Sequence, residues 1–384
     1  MATTQFEVAP GTIDLGVGHP GADLLPVAML RRAAEQRLSD GDSSLLQYGH
    51  EQGDGRFRTA LAGFLTAEYG LPVDPATLFV TNGVSQALDM VCRLFTQPGD
   101  TVVVEEPTYF LASGIFRDYH LRVVSLPCDE EGMQVERLAA VLRTVRPAFV
   151  YTIPVFQNPT GRTLSPARRE ALLALSRQYG FFLVADEVYQ LLHYHERPPA
   201  PFAAHVDEPT VISLGSFSKI CGPGLRLGWV QAVPGIIQQF CAAGMVESGG
   251  GLNPFTGALV QVALENGDET AYVATLRTVY RARSQALTAA LQAEFGDLLD
   301  YAPVGGGYFL WATLPEGCDT TRLLAAATRE QVGYRAGAKF GTKAAQSASS
   351  LQRALRLCFA YYNEAELAEG VRRLRRAVAP EFRR

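Results

Sequence analysis

No stretch of these 384 residues approaches the roughly 18 consecutive apolar residues of a membrane span. The opening MATTQFEVAPGTIDLG lacks the basic-then-apolar order of a secretory leader. A cytoplasmic protein with no membrane partner is expected. Neither sign of charge dominates: 34 Lys and Arg against 39 Asp and Glu leave a net charge of -5. That balance gives no general attraction for nucleic acid. The six cysteines include no CxxC pair and the six histidines no ligand-like cluster. A disulfide framework is therefore not expected, nor is a metal site. Internal repeats and low-complexity tracts are missing too. What is present is ordinary globular composition, 47% hydrophobic and 19% charged, enough for a sizeable core.

From residue 78 to residue 230 short apolar runs alternate with helical periods. Strands are expected over 78–81, 101–105, 122–126, 148–153, 181–185, 211–214 and 226–230. Helices are expected over 85–95, 111–119, 133–145 and 166–179 between them. Several of the strands, FFLVA above all, are apolar on both faces, which places them in a mostly parallel sheet between helical layers. The fold class is α/β, with a seven-stranded type of large sheet and a smaller α+β domain. A short strand (12–15) and helices over 28–38 and 56–68 precede this region. A long helix (268–295), a strand (308–313), a helix (321–332), a strand (354–359) and a last helix (364–378) follow it, with a loop over 341–350.

Polar residues collect where such strands end, and ligands of open parallel sheets sit there. Lys219 follows an apolar strand in GSFSKICGPGLRLG, flanked by Ser216 and Ser218 and followed by Arg226. Hydroxyls, backbone N–H groups and a guanidinium suit a phosphate dianion, and a lysine amine can condense with an aldehyde. A surface turn with a salt-bridging lysine fits the same spacing. Asp186 ends FFLVAD, where a buried carboxylate needs a partner. A protonated ring nitrogen would serve, and so would an N-cap role. Tyr189 lies three residues on. Asn158 in QNPTG can donate to a ring oxygen or simply make a turn. Gly83, Val84 and Ser85 open a helix, either as an anion site or as a cap. Tyr109 can stack on a flat ring or cover core. Arg356 in RALRLCFA points away from Leu355 and Leu357 and needs an anion, from a substrate carboxylate or from an internal acid. Arg353 is a second candidate for that task.

The ordered words YGHEQG, TNGVSQA, EEPTY, QNPTG, VADEVY, SFSKICGPGLRLGW, GGGYFLW and RLCFA span nearly the whole chain. In that order they resemble the fold type I pyridoxal-phosphate enzymes, class I/II aminotransferases, and within them the 2-aminoadipate and kynurenine transaminase-like branch. The resemblance implies pyridoxal 5'-phosphate as cofactor, no metal, and an amino group moved between an L-amino acid and a 2-oxo acid through a Lys219 aldimine. It implies that Asp186 pairs with the ring nitrogen, that Asn158 and Tyr189 meet the ring oxygen, and that Tyr109 stacks on the ring. Gly83, Val84, Ser85, Ser216, Ser218 and Arg226 would hold the phosphate. Tyr48 would reach the neighbouring subunit's phosphate in a homodimer. Arg356 would clamp the substrate α-carboxylate, and Gly18 would lie in the segment closing over it. The implied domains are 1–45 joining the small domain, 46–285 binding the cofactor, and 286–384 forming the small domain.

Three stretches depart from the usual pattern. They are His19 in GVGHPG, Ile-Cys-Gly after Lys219, and the glycine-rich ESGGGLNPFT at 247–256. No side-chain specificity carries over, although Asn253 and Tyr308 are candidate contacts. Elimination, replacement or oxidation of an amino acid on the same scaffold is an alternative function. So is a catalytically silent ligand-binding or regulatory protein. Return of the amino form of the cofactor by added 2-oxo acid separates the first from transamination. Any amino-acid-dependent spectral change argues against the second.

Overall fold

The computed structural model describes residues 4, 5 and 7–379. The strands are β1 (Ile13–Asp14), β2 (Leu78–Thr81), β3 (Thr101–Glu106), β4 (Arg122–Asp129), β5 (Gly132–Met133), β6 (Pro147–Thr152) and β7 (Phe182–Asp186). They continue with β8 (Val211–Ser216), β9 (Gly228–Gln231), β10 (Asp300–Tyr301), β11 (Phe309–Thr313), β12 (Val332–Gly333), β13 (Arg335–Ala336) and β14 (Ala354–Cys358). The large sheet runs β2-β9-β8-β7-β6-β3-β4-β5. Its pairs from β4 through β3, β6 and β7 to β8 are all parallel. Strand β9 is antiparallel to both β8 and β2, so β2 again runs with the majority.

The sheet therefore has eight strands where seven were expected. The addition is β5, a two-residue arm that folds back antiparallel on β4. Gly132, at φ 88, makes that reversal, a conformation in which a side chain is rarely accommodated. The helix expected from 133 starts only after it, at Val135–Val141.

Every residue of β2, β8 and β9 is buried, and so is β7 after its first residue. Continuous apolar strands need cover on both faces. Two hydrophobic clusters supply it, one containing Phe79, Val104 and Val184, the other Val103, Val150 and Leu183. Each fully buried Leu or Val contributes about 1.5–3 kcal/mol. The helix Pro166–Tyr179 starts with proline in its first turn and stops at Gly180, φ 73.

A smaller antiparallel sheet, β10-β11-β14-β13, forms the α+β part. The 28-residue helix Asp268–Phe295 leads into it and packs along Glu364–Val378. Asn363 and Glu366 close a capping box at the start of that last helix. The helix expected over 321–332 is shorter, Leu324–Arg329, because β12 takes up its end. Strand β12 pairs in parallel with β1 as a separate two-stranded sheet, tying the N-terminal segment to the C-terminal part. No helix among the described residues is long and apolar enough to cross a membrane.

Candidate active site

Strands β2, β3, β6, β7 and β8 all end on one edge of the large sheet. Asp186 ends β7 at that edge, and the loops leaving it carry Gly83, Tyr109, Asn158 and Lys219. The strand order thus brings together residues up to 136 positions apart (219 − 83).

After β8 the chain turns on its own hydroxyls. The Ser218 N–H donates to Ser216 Oγ at 3.0 Å, and the two Oγ atoms are 3.0 Å apart. Lys219 comes next, with its Nζ donating to the Gly18 carbonyl at 3.1 Å and lying 5.1 Å from the Tyr308 ring centroid. Tyr308 also donates to the Lys219 carbonyl at 3.0 Å. Burial lowers the Lys219 ammonium to about 8, with Arg356 and Arg226 pushing the same way against Cys358 and Asp186. Such an amine is partly neutral near physiological pH, as nucleophilic work requires.

Asp186 is buried at the end of β7. Tyr151 donates to its Oδ2 at 2.7 Å, while its buried Oδ1 has no partner. Burial lifts the carboxyl to about 6 against the Tyr151 hydrogen bond. The free oxygen leaves room for one cationic donor.

Arg356 sits at the middle of β14, in one row with Trp311 on β11 and Arg335 on β13. It is 4% exposed, yet it makes no ion pair among the described residues. Its Nη1 donates to Asn158 Oδ1 at 2.8 Å and its Nη2 to the Gly16 carbonyl at 2.8 Å. Its Nε has no partner, and its Cζ lies 4.0 Å from the Phe309 ring centroid. Burial drags the guanidinium down to about 10. The internal acid that the sequence left open is not there among the described residues, and a buried cation of this kind calls for an anion from outside. Arg335 has its own acid, Asp14, at 3.2 Å. Arg353 reaches toward the Leu314 carbonyl instead.

Gly83 caps the helix Val84–Phe95 at φ 82. A Cβ there would lie 2.9 Å from an Arg226 nitrogen. Arg226, expected to begin a strand, sits in a left-handed turn at φ 48, and Gly228 opens β9. Its Nη2 donates to the Asn82 carbonyl at 3.0 Å. Ser85 and Arg226 are exposed, so N–H groups, a hydroxyl and a guanidinium border a cradle open to solvent. Asn253 uses its amide on the carbonyls of Leu225 and Arg226, which holds this turn. Tyr109 is half-buried, its hydroxyl pushed up to about 12 by burial. Tyr48 is set apart from this cluster, 87% exposed beside Gly250.

A cofactor with a cationic ring nitrogen, a flat ring and a phosphate fits these residues: the orphaned Asp186 oxygen, Tyr109 and the Gly83 cradle would each take one part. The sequence profile described as aminotransferase class I and II matches residues 10–374. The chain belongs to the class I and II aminotransferases. Aromatic-amino-acid aminotransferase 1 of Thermococcus litoralis is 35% identical to this aminotransferase, over 97% of this chain and 89% of the relative. The crystal structure of the kynurenine aminotransferase of Pyrococcus horikoshii is similar with a TM-score of 0.89 and 33% identity, covering 96% and 91% of the two chains. The α-aminoadipate aminotransferase of Thermus thermophilus, solved with N-(5'-phosphopyridoxyl)-L-leucine, has a TM-score of 0.86 and 32% identity over 97% and 94%.

Sequence reasoning missed Tyr151. In PAFVYT it reads as one more buried apolar residue. A tyrosine near a strand's carboxyl end, on the face that Asp186 shares, is the signal that marks it. It missed Glu105 as well, which EEPTY shows only as one of two acids.

Proposed function

We propose that the aminotransferase binds pyridoxal 5'-phosphate at this edge and exchanges the amino group of an L-α-amino acid for the oxo group of a 2-oxo acid. The observation that carries the residue roles is Arg356, a buried cation with no acid of its own among the described residues, within the same cluster as the lowered Lys219 amine.

When bound, the cofactor supplies an electron sink that makes the Cα–H bond of an attached amino acid acidic. The rest falls to the chain. Arg356 binds the α-carboxylate and so fixes the direction of the Cα–H bond. Lys219 Nζ takes the Cα proton and returns it to the acceptor carbon. Asp186 Oδ1 keeps a proton on the ring nitrogen. Asn158 has given its carbonyl oxygen to Arg356, so its N–H₂ end is the one left for the ring oxygen, which Tyr189 also meets. Tyr109 covers the ring. Gly83, Val84, Ser85, Ser216, Ser218 and Arg226 hold the phosphate, and Gly18 closes the substrate side.

We further propose a homodimer in the cytoplasm, in which Tyr48 serves the partner's phosphate. Its exposure, with Leu46 at 75% beside it in sequence, supports burial against a second copy. The β1–β12 pairing supports assigning 1–45 to the small domain, with 46–285 and 286–384 as the other divisions.

Absorbance of the purified protein with pyridoxal phosphate tests the reaction. Aromatic amino acids, kynurenine and 2-aminoadipate are the first donors to add, followed by 2-oxo acids. Conversion to the amino form and back is expected. Release of ammonia without that reversal would assign elimination or oxidation instead.

A further inference from the structure

We infer that Glu105 is a positioning residue: its carboxylate fixes the loop that carries Asn158 and ties it to the loop that carries Tyr109. The inference rests on the cofactor contacts proposed above for those two residues.

Glu105 is 2% exposed near the end of β3 and makes no ion pair among the described residues. Three donors converge on it. Thr152 Oγ1 donates to Oε1 at 2.6 Å, and Ile153 N and Gln157 Nε2 each donate to Oε2 at 3.1 Å. Burial pushes the carboxyl up to about 7, while the three donors favour its ionised form, which only accepts and so satisfies all of them at once. A glutamine of the same shape keeps an acceptor for Ile153 and Gln157 only by turning its N–H₂ to Thr152, whose hydroxyl must then reverse and accept.

Gln157 passes the constraint on. Its Nε2 also donates to the Pro107 carbonyl at 2.8 Å, two residues before Tyr109. Its Oε1 accepts from Thr160 N at 2.9 Å and from Thr160 Oγ1 at 2.7 Å. Both main-chain groups of Gln157 are bonded too, to Arg162 and Gly161. Every polar atom of Gln157 is thus committed, and Asn158 is the next residue. Its amide is divided between Arg356 and the proposed ring oxygen, so a small rotation there disturbs both ends of the site.

Glu105→Gln holoenzyme tests this, read by the absorbance of bound pyridoxal phosphate against pH, by cofactor affinity and by thermal unfolding. A displaced Asn158 donates less well to the ring oxygen, which stabilises the deprotonated chromophore less. The absorbance transition should move to higher pH and cofactor affinity should fall about tenfold, in line with loss of a hydrogen bond to a charged group. Gln157→Leu, which leaves Glu105 in place, should do the same. Unchanged titration and affinity in Glu105→Gln, with or without a lower unfolding temperature, overturns the role. So does an unchanged titration in Gln157→Leu if Glu105→Gln does not fold. Asn158→Ala separates the two levels. If it shifts the titration and Glu105→Gln does not, the contacts of Asn158 stand and the role of Glu105 fails. If Asn158→Ala shifts nothing, the cofactor contact of Asn158 fails and the role of Glu105 fails with it.

Discussion

Arg356 Nη1 donates to Asn158 Oδ1 at 2.8 Å across 198 residues of sequence, so the proposed substrate clamp and the proposed cofactor contact are one hydrogen-bonded unit. Neither side chain can be removed without loosening the other. Arg356→Ala should raise KM for α-amino acids by roughly tenfold or more, from loss of a charge-assisted contact of about 1.5–3 kcal/mol. It should weaken cofactor binding less. Steady-state kinetics with amino acids, and with amines lacking the carboxylate, check this: the amines should lose little.

Lys219 gives a pH dependence. Burial brings its ammonium to about 8 from an ordinary value of 10.5. Only the neutral amine condenses with an aldehyde, so capture of pyridoxal phosphate by the cofactor-free protein should accelerate with a midpoint near pH 8. Stopped-flow absorbance would show it. A rate still climbing steeply past pH 10 would contradict the lowered value, and Lys219→Ala should show no capture at any pH.

Tyr151 should set the acid side. Its hydroxyl favours the carboxylate form of Asp186, whose burial already lifts it to about 6. Tyr151→Phe removes that donor and raises Asp186 further. Cofactor affinity should then begin to fall at a higher pH than in the unaltered enzyme, while the Phe116–Tyr151 edge contact keeps the packing. Equilibrium titrations from pH 5 to pH 8 read the shift, and coincident curves would mean that Tyr151 only fills space.

Gly83→Ala tests the phosphate cradle. The added Cβ meets Arg226 at 2.9 Å and the backbone is at φ 82, so the substitution is strained whatever else it does. Affinity for pyridoxal phosphate should fall far more than affinity for pyridoxal, which has no phosphate to lose.

Tyr48→Phe should weaken the cofactor without dissociating the proposed dimer, because it removes a hydroxyl and little apolar surface. Sedimentation and cofactor titration on the same sample check both halves. A monomer at micromolar concentration in the unaltered protein would remove the partner's phosphate from consideration.

The sequence displays this fold where strands are apolar on both faces. FFLVAD could be placed within one residue, and so could the helix Asp268–Phe295, while VISLGS runs two residues past its expected end. It hides elements too short to have a period: β5, β12 and β13 are two residues each. The candidate site divides the same way. Lys219, Asp186 and Asn158 follow strands and announce themselves as polar residues in apolar surroundings. Arg226 was placed in a strand, because the turn Pro223–Leu225 that reverses it is encoded by proline and glycine rather than by alternation. Tyr151 and Glu105 matter through what they touch across the sheet, and no local pattern records a partner 35 or 52 residues away.

The parallel pairing of Ile13–Asp14 with Val332–Gly333 has a bearing on biosynthesis. The segment that lends its Gly16 and Gly18 carbonyls to Arg356 and Lys219 emerges from the ribosome ahead of the large sheet, but its strand partner lies 319 residues later (332 − 13). During translation the large sheet can form while this leading segment still has nowhere to dock. Contacts so distant in sequence form late. A nascent chain should therefore acquire its cofactor cradle well before its substrate clamp, and a ribosome stalled short of residue 332 should carry an open, clampless site.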